Sequence, residues 1–157
     1  MFPDDFIVAE RIESGVAVGS KKRALERLAS LLASSSPKLS TEAVFDRLLE
    51  RERLGSTGLG HGIALPHARM PEADQARGAF IRLEHGIDYD AIDSQPVDLA
   101  FAMVVPSEAT DEHLQLLAHL ATLFDDEGLC AQLRAAETPA VILALLNDHG
   151  GHGAELK

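Results

Sequence analysis

Between Leu99 and Val105 the chain is apolar without a break, and Pro106 ends the run. A strand that is apolar on both faces must be covered on both, so this segment, DLAFAMVV, predicts a central strand of a layered domain. The rest of the chain has to supply the covers. SKKRALERLASLLASS, residues 20–35, sets Ala24, Leu25, Leu28, Leu31 and Leu32 at helical spacing, with Ser20 as its N-cap and Pro37 as its end. A second helix starts at Ser40 or Thr41, carries Glu42 in its first turn, and runs to about Arg51 or Arg53; Val44, Phe45, Leu48 and Leu49 form its apolar face. GAFIRLE alternates, with Ala79, Ile81 and Leu83 on one side of a half-buried strand, and Val16–Val18 and Ile63–Leu65 predict shorter ones. Thr110 or Asp111 caps a long helix with Leu114, Leu117, Leu120 and Phe124 as its buried stripe. A helix around Leu129 and Leu133 follows, and Thr138-Pro139 opens the last one. Helices and strands in alternation predict one α/β domain with a mainly five-stranded sheet covered by helices.

At 157 residues a single core is expected, and with no tryptophan and one tyrosine it must be mostly aliphatic. The net charge of −11 disfavours nucleic acid, whose phosphates require a basic face, and disfavours an anionic membrane surface. No window approaches the run of about 18 apolar residues that crosses a bilayer. The acidic start, MFPDDFIVAERIE, is unlike a secretory signal, so a cytoplasmic location is expected. Cys130 is the only cysteine and reads as a small buried hydrophobe.

The chemistry concentrates in RERLGSTGLGHGIALPHAR, residues 51–69. Four glycines, two histidines and a proline lie there between a helix and a strand. Glycines allow close backbone approach and can turn N–H groups toward an anion. Pro66 immediately before His67 restricts the backbone there and so presents one imidazole at a defined place. The glycines fit neither G-x-G-x-x-G nor a P-loop, so nucleotide binding is a weak reading, and a glycine-rich loop with incidental histidines remains open. His113 lies beside the apolar stripe of its helix and points toward the domain; a half-buried, backbone-bonded histidine is the plain alternative. His119 is expected to be exposed, and His61 is either a neighbour of the site or solvated.

Taken together, RERLGSTGLGHGIALPH, the SKKRALE helix, DAIDSQPVDLAFAMVVP, and EHLQLLAHLATLF followed by LRAA resemble the enzyme IIA family of the phosphotransferase system. The likeness is to the mannitol, fructose and nitrogen-regulatory type, and most to its nitrogen-regulatory branch. It covers nearly the whole chain. It implies an enzyme IIA domain over residues 1–148 with a mixed sheet flanked by helices on both faces, and a mobile tail over 149–157. It implies that His67 accepts a phosphoryl group from an HPr-like phosphocarrier, that Arg51 supplies positive charge to the phosphate, and that His113 donates to the phosphoryl group or holds His67 in place. Backbone amides near Gly58 and the Ser56 or Thr57 hydroxyl are the expected phosphate cradle, with no metal or organic cofactor. Where relatives often carry glycine after the phosphorylated histidine, this chain has Ala68.

The implied partners are regulated proteins such as sensor kinases or potassium transport components, and the implied state is a monomer or weak homodimer. Three alternatives stand beside this reading. One is a regulatory binding module that is not phosphorylated, another is a sugar-specific enzyme IIA, and the third is a metal-dependent hydrolase using His61, His67 and His113.

Overall fold

The structure is a computed structural model that describes residues 2–108 and 110–155. Six strands form one sheet: β1 (Ile12–Val16), β2 (Gly58–Gly60), β3 (Ile63–Ala64), β4 (His67–Met70), β5 (Arg77–Ile87) and β6 (Val97–Pro106). Among the described residues five α-helices accompany them, α1 (Lys21–Ala33), α2 (Thr41–Arg53), α3 (Thr110–Phe124), α4 (Glu127–Ala135) and α5 (Pro139–Glu155), with one 3-10 turn at Ala9–Arg11 before β1.

The apolar run is indeed the centre. β6 pairs antiparallel with β5 on one edge; on the other it pairs parallel with β3 at Leu99–Ala100 and with β4 from Met103 to Pro106. β1 and β2 lie outermost, giving the order β1-β5-β6-β3-β2 with β4 beside β6. Side chains alternate across β6 as period two requires. Ala100, Ala102 and Val104 pack under α1 and α2, whereas Leu99, Phe101, Met103 and Val105 pack under α3, α4 and α5. Two cores therefore lie on the two faces of one sheet, and the expectation of helices on both faces is met.

Several expectations change in detail. The sheet has six strands, against an expectation of mainly five; the short β2 and β4, of three and four residues, have no strand signal of their own in the sequence reading. The first strand is Ile12–Val16, earlier than the Val16–Val18 alternation implied, because Ile12 and Val16 are the residues buried beside β5. β5 is buried on both faces, with Phe80 joining the α3–α5 core opposite Ala79 and Ile81. In α3 the buried stripe passes through His113, Leu116, Leu120 and Leu123, whereas Leu114 is 58% exposed. Leu120 and Phe124 are buried as expected, but in the first turns His113 and Leu116 take the inward places, and Leu114 and Leu117 line the cleft described below. His119 is half-buried, its ring edge-on to Phe2 at 5.2 Å, and is not the exposed residue expected. Cys130 is buried, its Sγ donating to the Phe124 carbonyl.

The caps follow the sequence closely. Ser20 accepts from the Arg23 amide, Ser40 from Ala43, and the Thr138 hydroxyl from Val141. α5 continues as helix to Glu155, through most of the segment expected as a tail; residues 156 and 157 lie outside the described residues. The expected cap of α3 at Thr110 or Asp111 adjoins residue 109, also outside them.

If β6 is the shared centre, truncating it must open a cavity. Leu99→Ala is expected to cost about 2–5 kcal/mol, because the fully buried side chain leaves a void that its neighbours only partly fill. Leu114→Ala, on the exposed side of α3, should stay within about 0.5 kcal/mol. Urea unfolding checks both, as a large fall in midpoint for the first and nearly none for the second at an unchanged slope.

Candidate functional site

The site is created by a break in a strand. β3 and β4 lie in line along the same edge of β6, and Leu65 and Pro66 separate them. Proline has no N–H for the ladder, but its carbonyl still accepts from the Met103 amide at 3.0 Å. Past the jog, β4 restarts with His67. Strand periodicity then turns His67 and Arg69 to one face and buries Ala68 and Met70 on the other.

His67 folds back on the jog: its Nδ1 lies 2.7 Å from the Leu65 carbonyl oxygen. A carbonyl only accepts, so Nδ1 carries the proton and Nε2 keeps its lone pair. Burial is the main cause that lowers the His67 pKa; the Leu65 bond opposes it, Arg51 lowers it further, Glu52 raises it and Arg69 lowers it. The ring is therefore neutral at pH 7, with an available Nε2.

The second imidazole comes from the first turn of α3. His113 is buried and meets His67 edge-to-face, with ring centroids 5.2 Å apart and planes at 88°. Arg69 Nε donates to His113 Nδ1 at 3.3 Å. The His113 pKa is lowered to about 4, first by burial, then by His67, Arg69 and Arg51. Around the two rings an open cleft of about 810 Å³ is lined by Arg47, Glu50, Arg51, Arg53 and Leu54 from the α2 end, and by Ala68, Arg69, Leu114 and Leu117. Four arginines against one carboxylate make this wall locally cationic in a chain of net charge −11. The Arg51 guanidinium is steadied by donating to the Gly55 carbonyl at 2.9 Å.

Of the residues expected at the site, His67, His113 and Arg51 are brought together at this cleft. Ser56, Thr57 and Gly58 do not line it, and their polar groups are committed elsewhere. The Ser56 hydroxyl bonds the Tyr89 carbonyl and receives the Gly58 amide. Thr57 gives both its amide and its hydroxyl to Glu52. Gly58 is required by packing: a Cβ there would stand 2.8 Å from that of Ala91. The glycine run thus serves close packing and a tight turn, in which His61 and Gly62 adopt φ of 57° and 83°. His61 lines a different cavity, with Cys130 and Arg134, so the three histidines of the hydrolase alternative are not gathered. Among the described residues no group of three or more His, Cys, Asp or Glu is placed to hold a metal ion. Arg69 and Arg47 escaped the sequence reading; the available signal for Arg69 was its position two residues beyond His67, on the same face of a strand.

Beneath the cleft lies a buried polar network. The Glu52 carboxylate meets Lys21 Nζ at 2.9 Å and the Thr57 amide at 3.1 Å. The Tyr89 hydroxyl is 3.2 Å from that of Thr57, and Lys21 Nζ lies 4.5 Å from the Tyr89 ring centroid. Burial, with the nearby Glu52 charge, raises the Tyr89 pKa far above its usual value, so the phenol stays protonated. This network ties the end of α2, and with it Arg51, to α1 and to the glycine segment.

Fold and site define a single mixed α/β domain that opposes two neutral imidazoles in an arginine-lined cleft. The family model for the phosphoenolpyruvate-dependent sugar phosphotransferase system, EIIA 2, matches residues 5–149, and the chain belongs to that family. Within it the chain is similar to nitrogen regulatory proteins. It is 42% identical to that of Pseudomonas aeruginosa over 83% of this chain and 84% of the relative, and 43% identical to that of Escherichia coli K12 over 90% and 87%. The crystal structure of the nitrogen regulatory protein IIA-Ntr from Neisseria meningitidis superposes with a TM-score of 0.86 at 41% identity, covering 90% of this chain and 96% of that one. IIA mannitol from Escherichia coli, at 24% identity, shares the fold with a TM-score of 0.75 over 89% and 98%.

The depressed histidine values set a pH dependence. The ordinary histidine value is 6.5 and that of folded His113 about 4, so below pH 6.5 the unfolded chain takes up the proton first. Stability contributed by the neutral ring is complete above pH 6.5 and lost as pH falls toward 4. Urea unfolding at pH 7.5 and 4.5 should show a loss in the wild type that His113→Gln reduces by on the order of 1–3 kcal/mol. Equal losses in the two proteins would contradict the buried neutral assignment.

Proposed function

We propose that the chain is a phosphohistidine carrier of the nitrogen-regulatory phosphotransferase system, with Nε2 of His67 as the acceptor atom. The observation that carries this reading is the tethered, neutral His67 whose free Nε2 stands in a cationic cleft opposite His113. The family membership and the similarity to nitrogen regulatory proteins support the regulatory role.

The donor is an HPr-like phosphocarrier bearing phosphohistidine. The Nε2 lone pair of His67 attacks phosphorus in line with the departing nitrogen; the new N–P bond forms as the old one breaks, and the donor imidazole leaves with the electron pair. Such a transition state is loose, so positioning and charge do most of the work. Leu65 holds the Nδ1 proton throughout and fixes the ring. Arg51, with the neighbouring arginines of the wall, offsets the phosphoryl charge. His113 donates to a phosphoryl oxygen. Both ends of the reaction are N–P bonds of the same kind, so transfer runs readily in either direction.

Phosphate at His67 places new negative charge beside exposed Leu54 and Leu114, so partner affinity depends on phosphorylation state. Sensor kinases and potassium transport components are the classes of regulated partner. The protein works in the cytoplasm, as a monomer or weak homodimer; no described helix is long and apolar enough to cross a membrane.

The test combines purified protein with phosphoenolpyruvate, enzyme I and the HPr-like carrier, read by intact mass. One acid-labile phosphate is expected on the wild type, none on His67→Ala, and slower or weaker labelling on His113→Ala. An unlabelled wild type, with a control acceptor labelled in the same mixture, would overturn the carrier reading in favour of a binding module.

A further inference from the structure

We propose that Arg69 is a positioning residue that sets the tautomer of His113, so that the second imidazole presents its N–H, rather than a lone pair, to the phosphoryl group. This inference rests on the reading of His67 as phosphoryl acceptor and assigns how the facing histidine is prepared for it.

The argument begins with the strand. β4 turns His67 and Arg69 to the same side while Ala68 and Met70 enter the core, so Arg69 stands one strand period beyond the acceptor, beside the same α3 turn. Its side chain lies at the exposed mouth of the cleft, yet its Nε reaches inward to Nδ1 of buried His113 at 3.3 Å. A guanidinium has only donors. The ring nitrogen it meets must therefore be the unprotonated one, and the proton of neutral His113 resides on Nε2.

A neutral histidine has two tautomers, and the partner of one nitrogen selects the state of the other. The two rings of the cleft are tethered in opposite senses. His67 is fixed at Nδ1 by an acceptor, the Leu65 carbonyl, which leaves its Nε2 nucleophilic. His113 is fixed at Nδ1 by a donor, Arg69, which leaves its Nε2 a donor. One ring can attack phosphorus and the other can stabilise the phosphoryl oxygens. Without Arg69, His113 can populate the tautomer with Nδ1–H. Its Nε2 lone pair is then repelled by phosphoryl oxygens instead of bonding them.

The experiment uses the full chain with ¹⁵N-labelled histidine, in wild type, Arg69→Ala and Arg69→Lys. Long-range ¹⁵N–¹H correlation at neutral pH reads the His113 tautomer without any phosphorylation, and transfer from the phosphorylated HPr-like carrier is timed separately. The wild type is expected to show the Nε2–H form. Arg69→Ala should show a mixture and take phosphate roughly tenfold more slowly, the rate equivalent of one hydrogen bond to an imidazole. Arg69→Lys, which keeps a cationic donor, should recover part of both. A His113 tautomer unchanged in Arg69→Ala, or a changed tautomer with an unchanged rate, overturns the positioning role. A wild type that accepts no phosphate overturns the carrier reading instead, and that failure is seen in the transfer assay alone.

Discussion

The hydrogen-bond requirement of β6 governs this molecule. A strand buried on both faces must satisfy its backbone through its two edges. One edge is met by the continuous β5 and the other by two fragments, β3 and β4, with Leu65 and Pro66 between them. The Pro66 carbonyl keeps the ladder satisfied across the gap. The Leu65 carbonyl is left to receive His67 Nδ1. The same discontinuity therefore ends one strand, starts the next, and fixes the tautomer of the residue at the restart. The site is a consequence of how the sheet completes itself.

Around that point, burial and charge act together. Both imidazoles are kept neutral mainly by desolvation, and the arginines push in the same direction. The same cations that disfavour imidazolium make the cleft electrostatically attractive to an anion. The wall is held in place from below: buried Glu52, paired with Lys21 and bonded by Thr57, anchors the helix end that carries Arg51. Such a buried pair adds little net stability, but breaking it by removing one partner is costly, so the end of α2 is held where the pair stands.

Much of this was legible in the residues. The two-faced apolar run of β6, the Ser20 and Ser40 caps and the Pro139 start are local signals, and local physics determines them. His67, Arg51 and His113 were named from a motif and a resemblance, and they converge on one cleft. The expectations that changed share a cause. Leu120 and Phe124 of the expected α3 stripe are buried, but at its start both Leu114 and Leu116 satisfy an apolar pattern, and only membership of the core under the sheet selects Leu116. Ser56, Thr57 and Gly58 looked like an anion cradle because small polar residues and glycines serve equally well for packing; contact with Glu52, Tyr89 and Ala91 decides the matter.

The sequence by itself determined the layered α/β class, the central strand and the helix starts, because periodicity and capping act over a few residues; the acceptor candidate came from its resemblance to a family, not from local physics. Only the tertiary structure decided that β4 is a strand, that His67 and His113 meet edge-to-face, and that Arg69 reaches the second ring. Those facts depend on β4, α2 and α3 packing around one sheet edge, 44 residues separating Arg69 from its partner. No local pattern encodes a contact whose two halves are brought together only when the core closes.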